Sequence, residues 1–236
     1  MHRKALIRTA VPLVALALTA AACGSSSGSK SSDTKKTSTT SMGSSTSATV
    51  ASQTGAATLR AKLTSLLDEH VYLASKATAA ALRGDTAGFN MWAGALNGPA
   101  DSNSADLTAA ITSAYGKEVG TAFDGLWRSQ NHIPQFVAYT QAVAKGDEAG
   151  KKAALDALTA YAKTFGTTLN QVNSNLPADA VTQDITMHAT TLTAVIDAQK
   201  AGTPDEAKLT RAAVAHMEGT ADVLAAATVK KFPSKF

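Results

Sequence analysis

One cysteine stands in 236 residues, so no disulfide framework, iron–sulfur cluster or cysteine-based zinc site can be built within the chain. Aromatic residues are scarce at 5%, and both Trp, all four Tyr and four of the six Phe fall between Tyr72 and Phe165. The rest of any core must be Leu, Ala and Val. An alanine-rich core needs close backbone approach, which favours helices over a sandwich or barrel. A strong charge of one sign is missing too. The formal charge of +4 includes Arg3, Lys4 and Arg8 of a leader-like segment, and without them the chain is nearly neutral. That balance leaves no electrostatic footprint for nucleic acid. Signatures of catalysis are absent as well. There is no His-Glu-x-x-His, no Gly-x-Ser-x-Gly elbow, no P-loop, no Cys-x-x-Cys-His and no Glu-x-x-His pair. The carboxylate pairs Asp68-Glu69 and Asp205-Glu206 read as helix-end charges, and the chain is expected not to be an enzyme.

What is present begins with a leader. Arg3, Lys4 and Arg8 precede an apolar run from Val11 to Leu18 that is too short to span a bilayer. Ala20, Ala21 and Ala22 then stand directly before Cys23. Small residues at such a point mark a cleavage site, and small residues before a lone Cys resemble a bacterial lipobox, although Ala20 stands where Leu is commonest. Residues 1–22 are therefore expected to be a lipoprotein signal peptide, with Cys23 lipidated and anchored to the outer face of a bacterial membrane. Residues 23–56 form a Ser/Thr/Gly-rich stretch without an aromatic residue. Such a stretch cannot bury enough apolar surface to order itself. It reads as a disordered tether with an end-to-end distance of about 30 Å.

From residue 57 to 236 the apolar pattern is helical. Leu59, Leu63, Leu66, Leu67, His70 and Leu73 recur at three- and four-residue spacing, as do Ile133, Phe136, Val137 and Thr140, and Ile185, His188, Leu192 and Val195. Gly84-Asp85, Gly116, Gly146-Asp147, Asn173 to Pro177 and Gly202-Thr203-Pro204 punctuate it. A Gly suits the left-handed residue after a helix, and Asp or Thr suits the next N-cap. Thr203, Pro204 and Glu206 read as a capping box. The expectation is an all-α, antiparallel up-down bundle of about six helices in three hairpins. Its spans are 57–83, 86–115, 117–145, 148–172, 178–201 and 204–230, with an interruption at Gly98-Pro99 and a kink at Pro134.

His70, His132 and His188 each precede a helix-ending Gly (Gly84, Gly146, Gly202) by fourteen residues, and His216 follows Gly202 by the same fourteen. In an up-down bundle this places all four at one height, about 21 Å from the turns. Each lies on an apolar stripe, so the layer is expected inside, with His188 and His216 the closest pair. Neutral imidazoles from facing helices can bind copper, zinc or iron. Met187 and Met217 adjoin two of the histidines as possible soft ligands, and Glu69 and Asp184 are candidate acceptors that would fix imidazole orientation. Binding through free-imidazole chemistry should weaken as pH falls through ~6.5. The alternative is a buried polar layer that sets helix register, in a bundle that docks another envelope protein.

Several segments carry a resemblance. Glu69-His70-Val71-Tyr72-Leu73, Ala80-Ala81-Leu82-Arg83-Gly84-Asp85, Leu126-Trp127-Arg128, Phe136-Val137-Ala138-Tyr139-Thr140, Ile196-Asp197-Ala198-Gln199, Ala215-His216-Met217 and Phe232-Pro233-Ser234-Lys235-Phe236 resemble a helical-bundle domain of secreted and lipid-anchored bacterial proteins of unknown function. The resemblance implies a helical architecture. Some proteins of that kind are labelled copper amine oxidase, whose chemistry needs an Asn-Tyr-Asp/Glu motif. Tyr72, Tyr115, Tyr139 and Tyr161 all lack that context, which excludes amine oxidation.

Overall fold

The computed structural model describes residues 54–129 and 132–236. The leader, Cys23 and the tether through residue 53 lie outside the described residues. Eight helices follow one another: α1 Gly55–Leu82, α2 Thr86–Asn97, α3 Asn103–Tyr115, α4 Lys117–Ser129, α5 His132–Lys145, α6 Glu148–Val172, α7 Ala178–Ala201 and α8 Asp205–Lys231. No strand occurs among the described residues. The described residues form an all-α, mainly antiparallel bundle, and the second expected span, 86–115, is divided into α2 and α3.

The turns follow from local chemistry. Gly84 and Gly146 adopt φ of 71° and 69°, a left-handed conformation that costs a residue with a Cβ. The Asp after each of them caps the next helix, Asp85 accepting from the Gly88 amide at 2.8 Å and Asp147 from the Gly150 amide at 2.9 Å. The capping box expected at Thr203 does not form. Helix α8 opens after Pro204 with no side-chain cap, and the Glu206 carboxylate instead accepts from Gln199 Nε2 at 3.4 Å.

Division of the second span has its own bracing. Gly98 ends α2, and Ser102 caps α3 by accepting from the Ala105 amide while donating to the Gly98 carbonyl at 2.6 Å. Arg128 of α4 donates to the same Gly98 carbonyl at 2.6 Å and to the Asn97 carbonyl at 3.1 Å. In the third span, residues 130 and 131, between α4 and α5, lie outside the described residues, and Pro134 in α5 removes one backbone donor.

Short connections make sequence neighbours pack antiparallel, and α1 packs along α8 to bring the first and last helices together. An Arg60–Asp222 ion pair bridges that contact on the surface. Small residues set the spacing. Ala80, Ala162, Ala213 and Ala221 are fully buried, and a Cβ at Gly166 would stand 2.4 Å from the Ala178 carbonyl oxygen, so α6 and α7 approach closely there. Alternate helices α1, α5 and α7 run the same way and all touch one another. That trio positions the site.

Candidate metal centre

His70 on α1, His132 at the start of α5 and His188 on α7 meet in the middle of the core. Each is only 1% exposed, and they are among the largest fully buried side chains of the protein. Their ring centroids form a nearly equilateral triangle with sides of 5.5, 5.6 and 5.7 Å. One ring nitrogen from each lies within 4.8 Å of the other two. The closest pair is His132 Nε2 and His188 Nε2 at 3.5 Å. Two imidazole nitrogens bound ~2.0–2.1 Å from one ion at trigonal or tetrahedral angles stand about 3.3–3.6 Å apart. The pair is already at a ligating separation.

Aromatic rings wall the triangle. Trp127 lies 4.7 Å from His132 and 5.1 Å from His70, centroid to centroid. Tyr161 stacks on His132 at 5.2 Å, and Phe136 packs against both His132 and His188. Burial in such surroundings penalises the charged imidazolium. It lowers the His70 pKa to about 4, with the Asn103 hydrogen bond opposing the fall. It lowers that of His132 to about 3, helped by the neighbouring His70 and opposed by the Trp127 backbone. Burial and the other histidines push His188 well below the ordinary value. All three rings therefore remain neutral lone-pair donors at physiological pH.

Hydrogen bonding settles one tautomer. Asn103 Nδ2 donates to the Leu66 carbonyl at 2.7 Å and to Glu69 Oε2 at 3.0 Å, both acceptors only. Its Oδ1 is left facing His70 Nδ1 at 3.3 Å, so Nδ1 carries the proton and Nε2 the free lone pair. The other two rings are less well served. His188 Nδ1 and the Tyr161 hydroxyl are buried without a hydrogen-bond partner, and His132 Nδ1 has none of good geometry, its approach to the Trp127 backbone being a weak one. A single proton between the two Nε2 atoms leaves one Nδ1 an unpaired donor and the other an unpaired acceptor, each costing about 1–3 kcal/mol.

The fourth histidine is elsewhere, which corrects the expected layer of four. His216 is partly exposed, and its Nε2 lies 3.0 Å from the Asp184 backbone oxygen and 3.6 Å from the Asp184 carboxylate. It bonds to Asp184, one helical turn before His188, and does not turn inward. On α8 the inward position at that level belongs to Met217, 1% exposed, and successive helical residues are about 100° apart. Met187 is displaced in the same way, being 48% exposed beside the buried His188. Met217 lies against an apolar cavity that also touches His188.

Neither expected acceptor bonds directly to a clustered histidine. Glu69 reaches His70 through Asn103, and Asp184 accepts from Thr220 at 2.9 and 3.0 Å. Asn103, Trp127 and Tyr161 had not been singled out. Asn103 follows the N-cap Ser102 and reads as a helix-start residue, while Tyr161 lies on an alanine-rich stripe with nothing to distinguish it from core filler. A cavity of about 240 Å³ between α1, α2 and α5 is lined by Gly84 and Thr86 as well as by His70 and Phe136. No family model, curated protein or solved structure matches this chain.

Proposed function

We propose that this chain is a lipid-anchored cell-envelope protein whose bundle holds one transition-metal ion on His70, His132 and His188. The observation that carries the metal reading is the convergence of three fully buried, neutral imidazoles within ligating reach of one another. Three nitrogen donors with no thiolate or carboxylate among them suit copper or zinc better than iron. A monocation costs less to bury in these apolar surroundings than a dication, so copper(I) fits this ligand set best. Storage, buffering or sensing would need no further catalytic group. Anchoring rests on the lipobox-like residues before Cys23, and Cys23→Ala should release the protein from the membrane fraction.

A second reading has one observation in its favour. The Asn103–His70 hydrogen bond satisfies one ring without any ion, as a polar core layer would require, and a bundle of that kind would act by docking another envelope protein. The test is metal analysis of the full chain purified in detergent without an affinity tag, followed by titration with copper(I) under reducing conditions and with zinc. One ion per chain, lost in His132→Ala and in His188→Ala, is the expected result. Absence of binding to either ion favours the polar layer.

A further inference from the structure

A second feature of the core adjoins the triangle of imidazoles at His188. A cavity of about 200 Å³ lies between the α3–α4 hairpin and the long helices α1, α6, α7 and α8. Its walls are almost entirely carbon, from residues such as Leu63, Ala110, Phe123, Phe165 and Val181. An apolar cavity of ~150 Å³ stays dry and takes up benzene, so this one is large enough for an apolar guest and offers water few partners.

Its proportions narrow the guest further. The wall runs along α8 from Met217 to Thr228 and along α1 from Leu59 to Leu67. At 1.5 Å per residue these stretches are about 16 and 12 Å long. A guest that follows the wall over that length is an elongated chain rather than a compact ring. Polar groups stand near its two ends and are already engaged with one another. Asp184 accepts from Thr220 at one end, and Asn173 Nδ2 donates to the Tyr115 hydroxyl at 2.9 Å at the other. Neither end offers a buried, unpaired charge to a ligand head. The wall reaches the surface where Ala122 of α4 and Val223 of α8, the latter 58% exposed, border it. A chain can enter there tail first and leave its polar head in water.

We propose that this cavity binds the alkyl chain of a single fatty acid or lipid. The proposal does not depend on metal binding. Trp127 lines the cavity and serves as the reporter, with Trp92, the other Trp of the chain, replaced by Phe. The full chain, kept metal-free with chelator, is titrated in one arm with dodecanoate and in the other with lysophosphatidylcholine, both below micelle formation. A saturable change in Trp127 fluorescence with a rise in melting temperature is expected. Response to dodecanoate alone identifies a free fatty acid, and response to the lysolipid identifies a membrane lipid chain. Ala110→Phe fills the cavity and should abolish the change while the helical circular dichroism persists. If that variant unfolds, the milder Ala114→Leu on the same wall takes its place. Absence of a saturable change in both arms, or unaltered binding in a folded filling variant, overturns the proposal.

Discussion

Four helices of this bundle run unbroken for 24 to 28 residues, namely α1, α6, α7 and α8. The span between Thr86 and Tyr115 is instead cut into α2 and α3, of 12 and 13 residues. Long helices supply His70 and His188 at a height fixed by the Gly turns. The divided span supplies Asn103, the first residue of α3. A helix that starts afresh can aim its first side chain where an uninterrupted one would carry it past. The long helices therefore set where the site is, and the break at Gly98 sets what braces it. His216 shows the converse, since an unbroken α8 turns it away from the centre.

The comparison breaks most sharply if His132 and His216 are exchanged as targets. His132→Ala should abolish binding of copper(I) or zinc, a loss beyond the ~10–100-fold typical of removing a supporting partner. His216→Ala should leave affinity and stoichiometry unchanged. Isothermal titration of both variants against the unaltered chain checks this. Equal losses in the two would return His216 to the site and undo the assignment by azimuth.

Acid is the next largest lever, and it acts on the metal-free protein. The buried imidazoles have pKa values below that of an unfolded histidine, ~6.5, so below that pH the unfolded chain binds protons that the folded one refuses. Stability is thus complete above ~6.5 and is lost as pH falls towards about 4 for His70 and about 3 for His132. At pH 5 each of these two should cost about 2 kcal/mol. Urea melts at pH 7.5, 6 and 5 should show the decline, and a flat profile would contradict the burial of these rings. Metal binding itself should persist below ~6.5 for as long as the fold does, because the lone pairs stay free. The expectation drawn from free imidazole set that threshold too high.

Asn103 sharpens the comparison from the break at Gly98. Asn103→Ala should weaken metal affinity by ~10–100-fold, because His70 loses the acceptor that holds its proton on Nδ1. The metal-free protein should lose about 1–3 kcal/mol from the stranded Leu66 carbonyl and His70 Nδ1. Asn103→Asp keeps an acceptor facing Nδ1 and should recover much of the affinity, though it returns a charge to a buried position. A variant that lost stability but kept full affinity would show that Asn103 holds the fold without positioning the ring.

Helices, turns and the common height of the histidines were legible because each has a periodic cause. Three- and four-residue apolar spacing gave the spans, and the Gly-Asp pairs at 84–85 and 146–147 marked two of the turns. Fourteen residues from His70 to Gly84, from His132 to Gly146 and from His188 to Gly202 place these three rings at one level, where they meet. Azimuth was harder to read, because Val214, Met217 and Ala221 define an inward stripe on α8 that His216 only borders. Asn103 and Tyr161 were illegible for another reason. Their partners lie 33 and 29 positions away in the chain, at His70 and His132, and no local pattern connects them.

The smallest effect is expected at Pro134, and it asks what aims His132. Pro has no backbone N–H to give to the carbonyl four residues earlier. It is not the only constraint near His132. That ring is packed between Trp127 and Tyr161, at 4.7 and 5.2 Å, and a changed backbone path would have to pull it out of that stack. Pro134→Ala should therefore cost no more than about 0.4–1 kcal/mol, chiefly through the freer unfolded chain. Its metal affinity should stay within ~3-fold of the unaltered protein, since the ligand geometry is held by packing. Thermal melts and a zinc titration of this one variant measure both quantities. Loss of metal binding with the helical spectrum intact would show that the proline alone keeps His132 aimed at the centre, and that its position is set by the backbone rather than by the ring stack.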